Sequence, residues 1–298
     1  MLVSIVIRTL NEEVYLRELL SSIVVQERDN FDIEIVIIDS GSTDETLSIA
    51  KSFDAQITHI SKNEFTFGRS LNLGSDFSCG EILVYISGHC VPVQADWLAT
   101  LISPIRNGLA GFTYGRQIGR DTTKYAERKI FDKYFPASSK IPQDGFFCNN
   151  ANSAIDRNVW SQYKFNEDVT GLEDMELAKR YCEHNGKIAY VAEASVYHIH
   201  NERWRHTQRR YEREAIALQK IMPDVQVTRF DMIRYIWASV IFDAQAAVKD
   251  GIFFIEIVEI VKFRIAQYTG TYRGNHEHRN LSKKRKDNYF YPAETPKD

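Results

Sequence analysis

The chain has 298 residues, 44% hydrophobic and 26% charged, with a formal net charge of −3. That suits a globular protein of one large domain with an appendage, or of two domains, and lacks the basic surplus of a nucleic-acid binder. Four cysteines without a C-x-x-C pair argue against a zinc knuckle or a disulfide framework and fit a reducing cytosol; no secretion signal precedes the first apolar run, and none reaches the roughly 18 residues of a membrane span.

The first predicted element is a strand over Val3–Arg8, which ends abruptly in Thr9-Leu-Asn-Glu12. Glu13–Gln26 then has helical spacing through Leu16, Leu19, Leu20 and Ile23. A second apolar run, Ile33–Ile38, ends in Asp39-Ser-Gly-Ser-Thr-Asp44. Strand, helix, strand with polar groups at both strand ends is how a parallel sheet builds a nucleotide crevice. The Ser42-Thr-Asp-Glu-Thr run signals a helix start, so a helix is expected over Asp44–Ser52. Further strands are expected at Ala55–Ile60, Ile82–Ser87, Ala110–Arg116 and Ile188–Val191. Further helices are expected at Leu71–Phe77, Trp97–Arg106, Asp156–Tyr163 and Asp174–Asn185. This alternation predicts a layered α/β domain over residues 1–200.

From about Glu202 the character changes. Glu202–Ile221 is an Arg-rich aromatic helical stretch ended by Pro223. Phe230–Tyr268 reads as helical and apolar around much of its circumference, interrupted by Asp243 and Glu256. Gly270–Asp298 is polar, with the basic cluster Lys283-Lys-Arg-Lys286, and is expected to be partly ordered at most. Residues 201–298 are therefore expected to form a mainly helical extension with a basic tail. Such helices serve core packing, subunit pairing or membrane-surface contact, and the sequence leaves the three open.

Several segments together resemble family 2 glycosyltransferases over roughly the first 200 residues. They are Ser4-Ile-Val-Ile-Arg-Thr-Leu-Asn-Glu12, Ile35-Val-Ile-Ile-Asp-Ser-Gly-Ser-Thr-Asp-Glu-Thr46, Phe67-Gly-Arg-Ser-Leu-Asn-Leu-Gly74, Gly80-Glu-Ile-Leu-Val-Tyr-Ile86, Pro92 with Trp97-Leu98, and Gly171-Leu-Glu-Asp174. The resemblance implies a GT-A (Rossmann-like) fold: a mixed, mainly parallel sheet flanked by helices, here with a helical C-terminal extension. It implies an inverting transfer of sugar from a nucleoside diphosphate sugar, UDP-linked by preference, to a hydroxyl of a glycan or lipid-linked acceptor in surface polysaccharide synthesis. A cytoplasmic enzyme, in reach of the inner face of the membrane, is the matching expectation. A nucleotidyltransferase is the first alternative, although Arg8-Thr-Leu-Asn11 lacks the glycine- and lysine-rich loop a triphosphate asks for. A non-catalytic nucleotide- or glycan-binding relative is the second.

The resemblance also assigns residues. Thr9 and Glu12, with Asn11 and Ser42 in the same two motifs, line the base and ribose, and Asp39 bonds the base edge. Arg69 lies near the diphosphate, where a guanidinium can clamp phosphate. Glu173 and Asp174 open a helix, and the aspartate is the base that takes the acceptor's proton. The amides of Asn149, Asn150 and Asn152 suit sugar hydroxyls.

A divalent ion, Mn2+ or Mg2+, is implied too, but the chain departs from the family at its metal motif. Relatives carry Asp-Ala-Asp; this chain has Ser87-Gly88-His89. A neutral imidazole can ligate such an ion, and a protonated one can pair with phosphate. His89 therefore stays in the expected site, with His198 as a second ligand and His200 behind it, while metal dependence no longer follows from the motif.

Overall fold

The computed structural model describes residues 1–28, 30–200 and 202–276. It divides into two compact units: residues 1–120, 131–168 and 173–199, and residues 121–130, 169–172 and 200–276 of those described. The first unit holds an eight-stranded sheet in the order β3-β2-β1-β4-β7-β6-β8-β5. Its strands are β1 (Leu2–Thr9), β2 (Asp32–Asp39), β3 (Gln56–His59), β4 (Ile82–Ser87), β5 (Cys90–Pro92), β6 (Phe112–Ile118), β7 (Asn152–Asp156) and β8 (Ile188–His198).

β1, β2, β3 and β4 are mutually parallel, and the register aligns Thr9 with Asp39 and Arg8 with Ser87. The polar residues that end the apolar runs thus gather along one edge of the sheet. β1 and β4 are buried almost throughout, which is why they read as unbroken Val/Ile/Leu runs. Helices α1 (Glu13–Val24) and α4 (Trp97–Arg106) pack on this sheet through Leu16, Leu19, Leu20, Ile23, Trp97, Leu98 and Leu101. α2 (Thr46–Lys51) and α3 (Phe67–Phe77) follow β2 and β3, and Thr66 caps α3 by accepting from the Arg69 N–H.

Two strands escaped the sequence. β7 is antiparallel between β4 and β6 and is buried, yet its sequence, Asn-Ser-Ala-Ile-Asp, looks like a loop. Its polar side chains are satisfied internally: Trp97 Nε1 donates to Asn152 Oδ1, and Ser153 Oγ donates to Asn150 Oδ1. β5 has three residues and ends the sheet at Pro92, where an edge strand tolerates a missing N–H. α5 (Tyr125–Tyr134) was not anticipated either, because its charged residues mask the buried Tyr125, Ala126 and Phe131. α6 (Arg157–Tyr163) and α7 (Glu173–Glu183) complete the first unit's helices.

The second unit is built on α8 (Trp204–Ile221), α9 (Arg229–Lys249) and α10 (Phe253–Asn275). The stretch expected to be helical over Phe230–Tyr268 forms two helices, separated at Gly251, whose φ of +73° is a left-handed turn that glycine adopts without strain. Helix continues through Gly270 to Asn275, so the start of the expected polar extension is ordered; the Lys283–Lys286 cluster lies outside the described residues. The arginines of α8 are partly structural. Arg210 and His200 both bind the buried Glu127, at 2.6 and 2.8 Å. Burial alone would raise that carboxyl, but the His200 hydrogen bond and the Arg210 charge pull it down to about 2. No described helix is long and apolar enough to cross a membrane.

Candidate active site

The loops after β1 and β2 are sewn together by side chains. Asn11 stands at φ +56° and its N–H donates to Ser42 Oγ, while the Thr43 N–H donates to Asn11 Oδ1. The Ser42 hydroxyl in turn donates to Asp39. Asp39 is buried and also accepts from the Gly41 and Ser42 N–H groups at 2.9 and 3.0 Å and from Thr9 Oγ1 at 3.3 Å. Four of the five residues expected around the base and ribose therefore form one network, and the Asp39 carboxylate shapes the loop it sits in. Asp44 ties the same two loops by accepting from Glu13 N and Thr46 N.

The fifth, Glu12, reaches across to the β4–β5 turn. Its Oε1 lies 3.0 Å from His89 Nδ1. Gly88 makes room for this: a Cβ there would sit 2.9 Å from Glu12 Cγ. Pairing of Cys90 with His198 across β5 and β8, and the Ile199 N–H to His89 carbonyl bond, then set His89 beside His198. The two imidazoles stack at 5.2 Å between centroids, and their ligand atoms lie within 4.8 Å. Phe131 stacks on the other face of His198.

Gln117, which sequence reasoning missed, orients this pair. Its Oε1 accepts from His198 Nδ1 at 2.6 Å, and its Nε2 donates to Asn149 Oδ1 at 2.9 Å. An amide oxygen only accepts, so Nδ1 of His198 carries a proton there, and in the neutral ring Nε2 is then the nitrogen that can ligate a metal. His198 is the last residue of β8.

Glu173 and Asp174 are both buried in the first turn of α7. Leu172 just before them has φ +53°, a left-handed turn costly for a side chain of its size. Asp174 Oδ2 accepts from the Asn150 N–H, and Oδ1 from its neighbour Met175 N–H, each at 2.7 Å. Burial and then the adjacent Glu173 charge push its carboxyl up to about 7, against the pull of those two N–H groups and of Arg8. Arg8, at the end of β1, donates to Glu173 at 3.2 Å and lies over the Phe67 ring. In the sequence Arg8 stands out only as a lone cation ending an apolar strand, and its place beside Glu173 is set by the fold.

The asparagines divide. Asn150 is buried, and its Nδ2 finds no partner among the described residues. Asn149 Oδ1 accepts from Gln117 Nε2 and the Ala151 N–H. Asn152 is fully engaged instead: Nδ2 donates to the Arg116 and Ala194 carbonyls and Oδ1 accepts from Trp97, so this amide braces the sheet and has nothing left for a sugar. Arg69 is likewise committed, its Nε 2.7 Å from Glu167 and a second nitrogen on the Glu64 carbonyl. That is a half-exposed structural ion pair rather than a guanidinium held ready for phosphate.

Polar residues at the ends of a parallel half-sheet, followed by antiparallel strands carrying acids at a helix start, define a GT-A fold. The solved structures agree. The mannosyltransferase PcManGT of Pyrobaculum calidifontis, in complex with GDP-Man and Mn2+, superimposes with a TM-score of 0.66 over 93% of this chain and 88% of its own, at 16% identity. Glucosyl-3-phosphoglycerate synthase of Mycobacterium tuberculosis, in complex with Mn2+, UDP-glucose and phosphoglyceric acid, gives 0.54 over 74% and 79%, at 19% identity. At such identities the likeness speaks for the fold alone. The chain belongs to glycosyl transferase family 2, whose family model matches residues 4–163. It is 29% identical over 197 residues to the O-antigen chain rhamnosyltransferase WbaN of Salmonella anatum, covering 62% of each chain. It is 26% identical over 202 residues to the O-antigen chain rhamnosyltransferase RfbN of Salmonella typhimurium, covering 63% of each. The match thus spans a little under two thirds of these curated relatives.

Proposed function

We propose that this chain is an inverting glycosyltransferase, moving a sugar from a nucleoside diphosphate sugar to a hydroxyl of a glycan or lipid-linked acceptor in surface polysaccharide synthesis. The observation that carries the reading is Asp174. A buried carboxyl held near 7, with a hydrogen-bond donor from Asn150 beside it, is poised to accept a proton at neutral pH. As the acceptor oxygen bonds to the anomeric carbon, the bond from that carbon to the diphosphate breaks on the opposite face. The hydroxyl proton passes to Asp174. The unpartnered Nδ2 of Asn150 supplies a donor for a sugar hydroxyl, which offsets the desolvation of about 1–3 kcal/mol it otherwise carries. Arg8 holds Glu173 and so tempers the second negative charge beside the base. The rhamnosyltransferase relatives add a 6-deoxyhexose to the donor sugars worth testing.

His89 and His198 could hold a divalent ion through their imidazole nitrogens, a donor set that Mn2+ accepts less readily than carboxylates and that suits Mg2+, which prefers oxygens, still less. Such an ion would offset the charge of the departing diphosphate. Glu12 orients His89 from the other side.

Turnover of UDP-, GDP-, CDP- and dTDP-linked sugars, with and without EDTA, tests the function and its metal need together. His89→Ala should lower donor affinity or turnover at least about tenfold, as loss of a ligand or of its oriented partner does. Unchanged kinetics at saturating and subsaturating donor would reduce Ser87-Gly88-His89 to a turn and leave His198 as the next candidate. Loss of the family's aspartates favours one other reading, a nucleotide-binding relative without turnover. It is selected if a nucleoside diphosphate raises the melting temperature while no donor is consumed.

Asp39→Ala should weaken nucleoside diphosphate binding by about 1–3 kcal/mol, because four donors, the Gly41 and Ser42 N–H groups and the Ser42 and Thr9 hydroxyls, lose their acceptor and the crevice loosens. Calorimetry settles this. Affinity equal to wild type for all four nucleotides would take Asp39 out of the binding site.

A further inference from the structure

α9 and α10 each carry apolar residues on a face turned to solvent. On α9, Phe230, Ile233, Trp237, Ile241 and Val248 are all at least half exposed, with Phe230 at 73% and Trp237 at 64%. Their spacing of three, four, four and seven places them in one narrow arc of the helix. The core-facing side is separate and already filled, by Val240 and Ala247. On α10, Phe254 at 92%, Val258 and Ile265 repeat the pattern. Isolated exposed apolar residues are ordinary; continuous stripes on two helices of one unit mark a surface that is covered in use.

The charges around the stripes say by what. Arg229, Arg234, Lys249, Lys262 and Arg273 are exposed on these two helices. Asp250 is the one exposed acid among the described residues of the same stretch, and Tyr125 and Lys129 bind it. Asp231 is half-buried in its capping box and pairs with Arg234, Glu256 and Glu259 are half-buried, and Asp243 is buried against Arg264. The chain continues beyond α10 into Lys283-Lys-Arg-Lys286. A second copy on this face would set the same cations against each other, since a two-fold interface pairs a patch with itself. An anionic surface satisfies them.

We propose that the exposed face of α9 and α10 docks on an anionic lipid bilayer, with the apolar stripes at the acyl boundary and the lysines and arginines among the headgroups. The helices lie on the membrane rather than cross it. The proposal goes beyond the transferase reading and does not depend on it, because binding is read without turnover.

The test is co-sedimentation of the full chain with phosphatidylcholine vesicles, with and without phosphatidylglycerol. Binding is expected to the anionic vesicles, weakening as salt rises. Trp237→Ser and Phe254→Ser should each reduce it about tenfold, the scale for taking one aromatic out of the acyl boundary. Lys262→Glu should reduce it at low salt only. A second measurement avoids any loss of folding in the serine variants. In a Trp204→Phe background, Trp237 is the most exposed tryptophan, and brominated lipid should quench its fluorescence. Absence of both vesicle binding and quenching overturns the proposal. So does a wild-type dimer that Trp237→Ser dissociates without any lipid binding.

Discussion

Asp174→Asn should abolish sugar transfer, by about a hundredfold or more, while nucleoside diphosphate affinity stays close to wild type. The substitution keeps the shape and one acceptor oxygen for the Asn150 and Met175 N–H groups. It removes the site that takes the proton and turns the amide nitrogen toward one of those two N–H groups, which bond different oxygens of the aspartate. Steady-state transfer and calorimetry on the same preparation separate the two effects, and residual turnover above about a tenth of wild type would show that the base is elsewhere. The pH profile gives a second reading. Burial and Glu173 hold the Asp174 carboxyl near 7 in the folded chain, so it keeps its proton below that pH, and activity should rise as pH increases through about 7. Stability should move the other way. The folded carboxyl binds its proton more tightly than the ordinary carboxyl of the unfolded chain, at 3.8. Its contribution is full below the unfolded value and is lost as pH rises through the folded one. Wild type should therefore lose stability between about pH 4 and 7, and the asparagine variant should lose less. An identical slope in both proteins would contradict the burial assigned to this group.

The second large effect is on stability. Asp243 is fully buried in α9, where Arg264 of α10 meets it with two nitrogens at 2.7 and 3.0 Å. Gln267 and the Ala126 carbonyl accept two more of its N–H groups. Asp243→Ala leaves a charged guanidinium in a packed interior, and the expected loss is about 3–5 kcal/mol, the scale for breaking a buried pair from one side. Removing both charges, as Asp243→Leu with Arg264→Met, should restore most of it, since the desolvation of both ions is then relieved. Urea unfolding of the three proteins tests this. A single variant within about 1 kcal/mol of wild type would mean that water reaches the arginine. The pair also explains why an otherwise apolar helical stretch carries an acid: Asp243 sets how α9 and α10 pack.

Much of this protein follows from sequence alone. The parallel half of the sheet was legible because strands buried on both faces must be apolar throughout, and Ile82–Ser87 and Trp97–Arg106 were placed to the residue. The polar ends of β1 and β2 were legible as a crevice because parallel register leaves them side by side. Family membership was legible in the order of its motifs. What sequence could not settle depends on partners far along the chain. β7 is a strand only because Trp97, Arg116 and Ala194 satisfy Asn152, so that a polar segment can be buried. Arg69 and Arg8 look alike as lone cations, and only the packing gives one to Glu167 and the other to Glu173. Asp174 becomes a base near neutrality through burial and a neighbouring charge, neither of which a local motif contains. Local periodicity fixes which faces are apolar; which polar groups lose their water, and what replaces it, is decided only when the chain closes on itself.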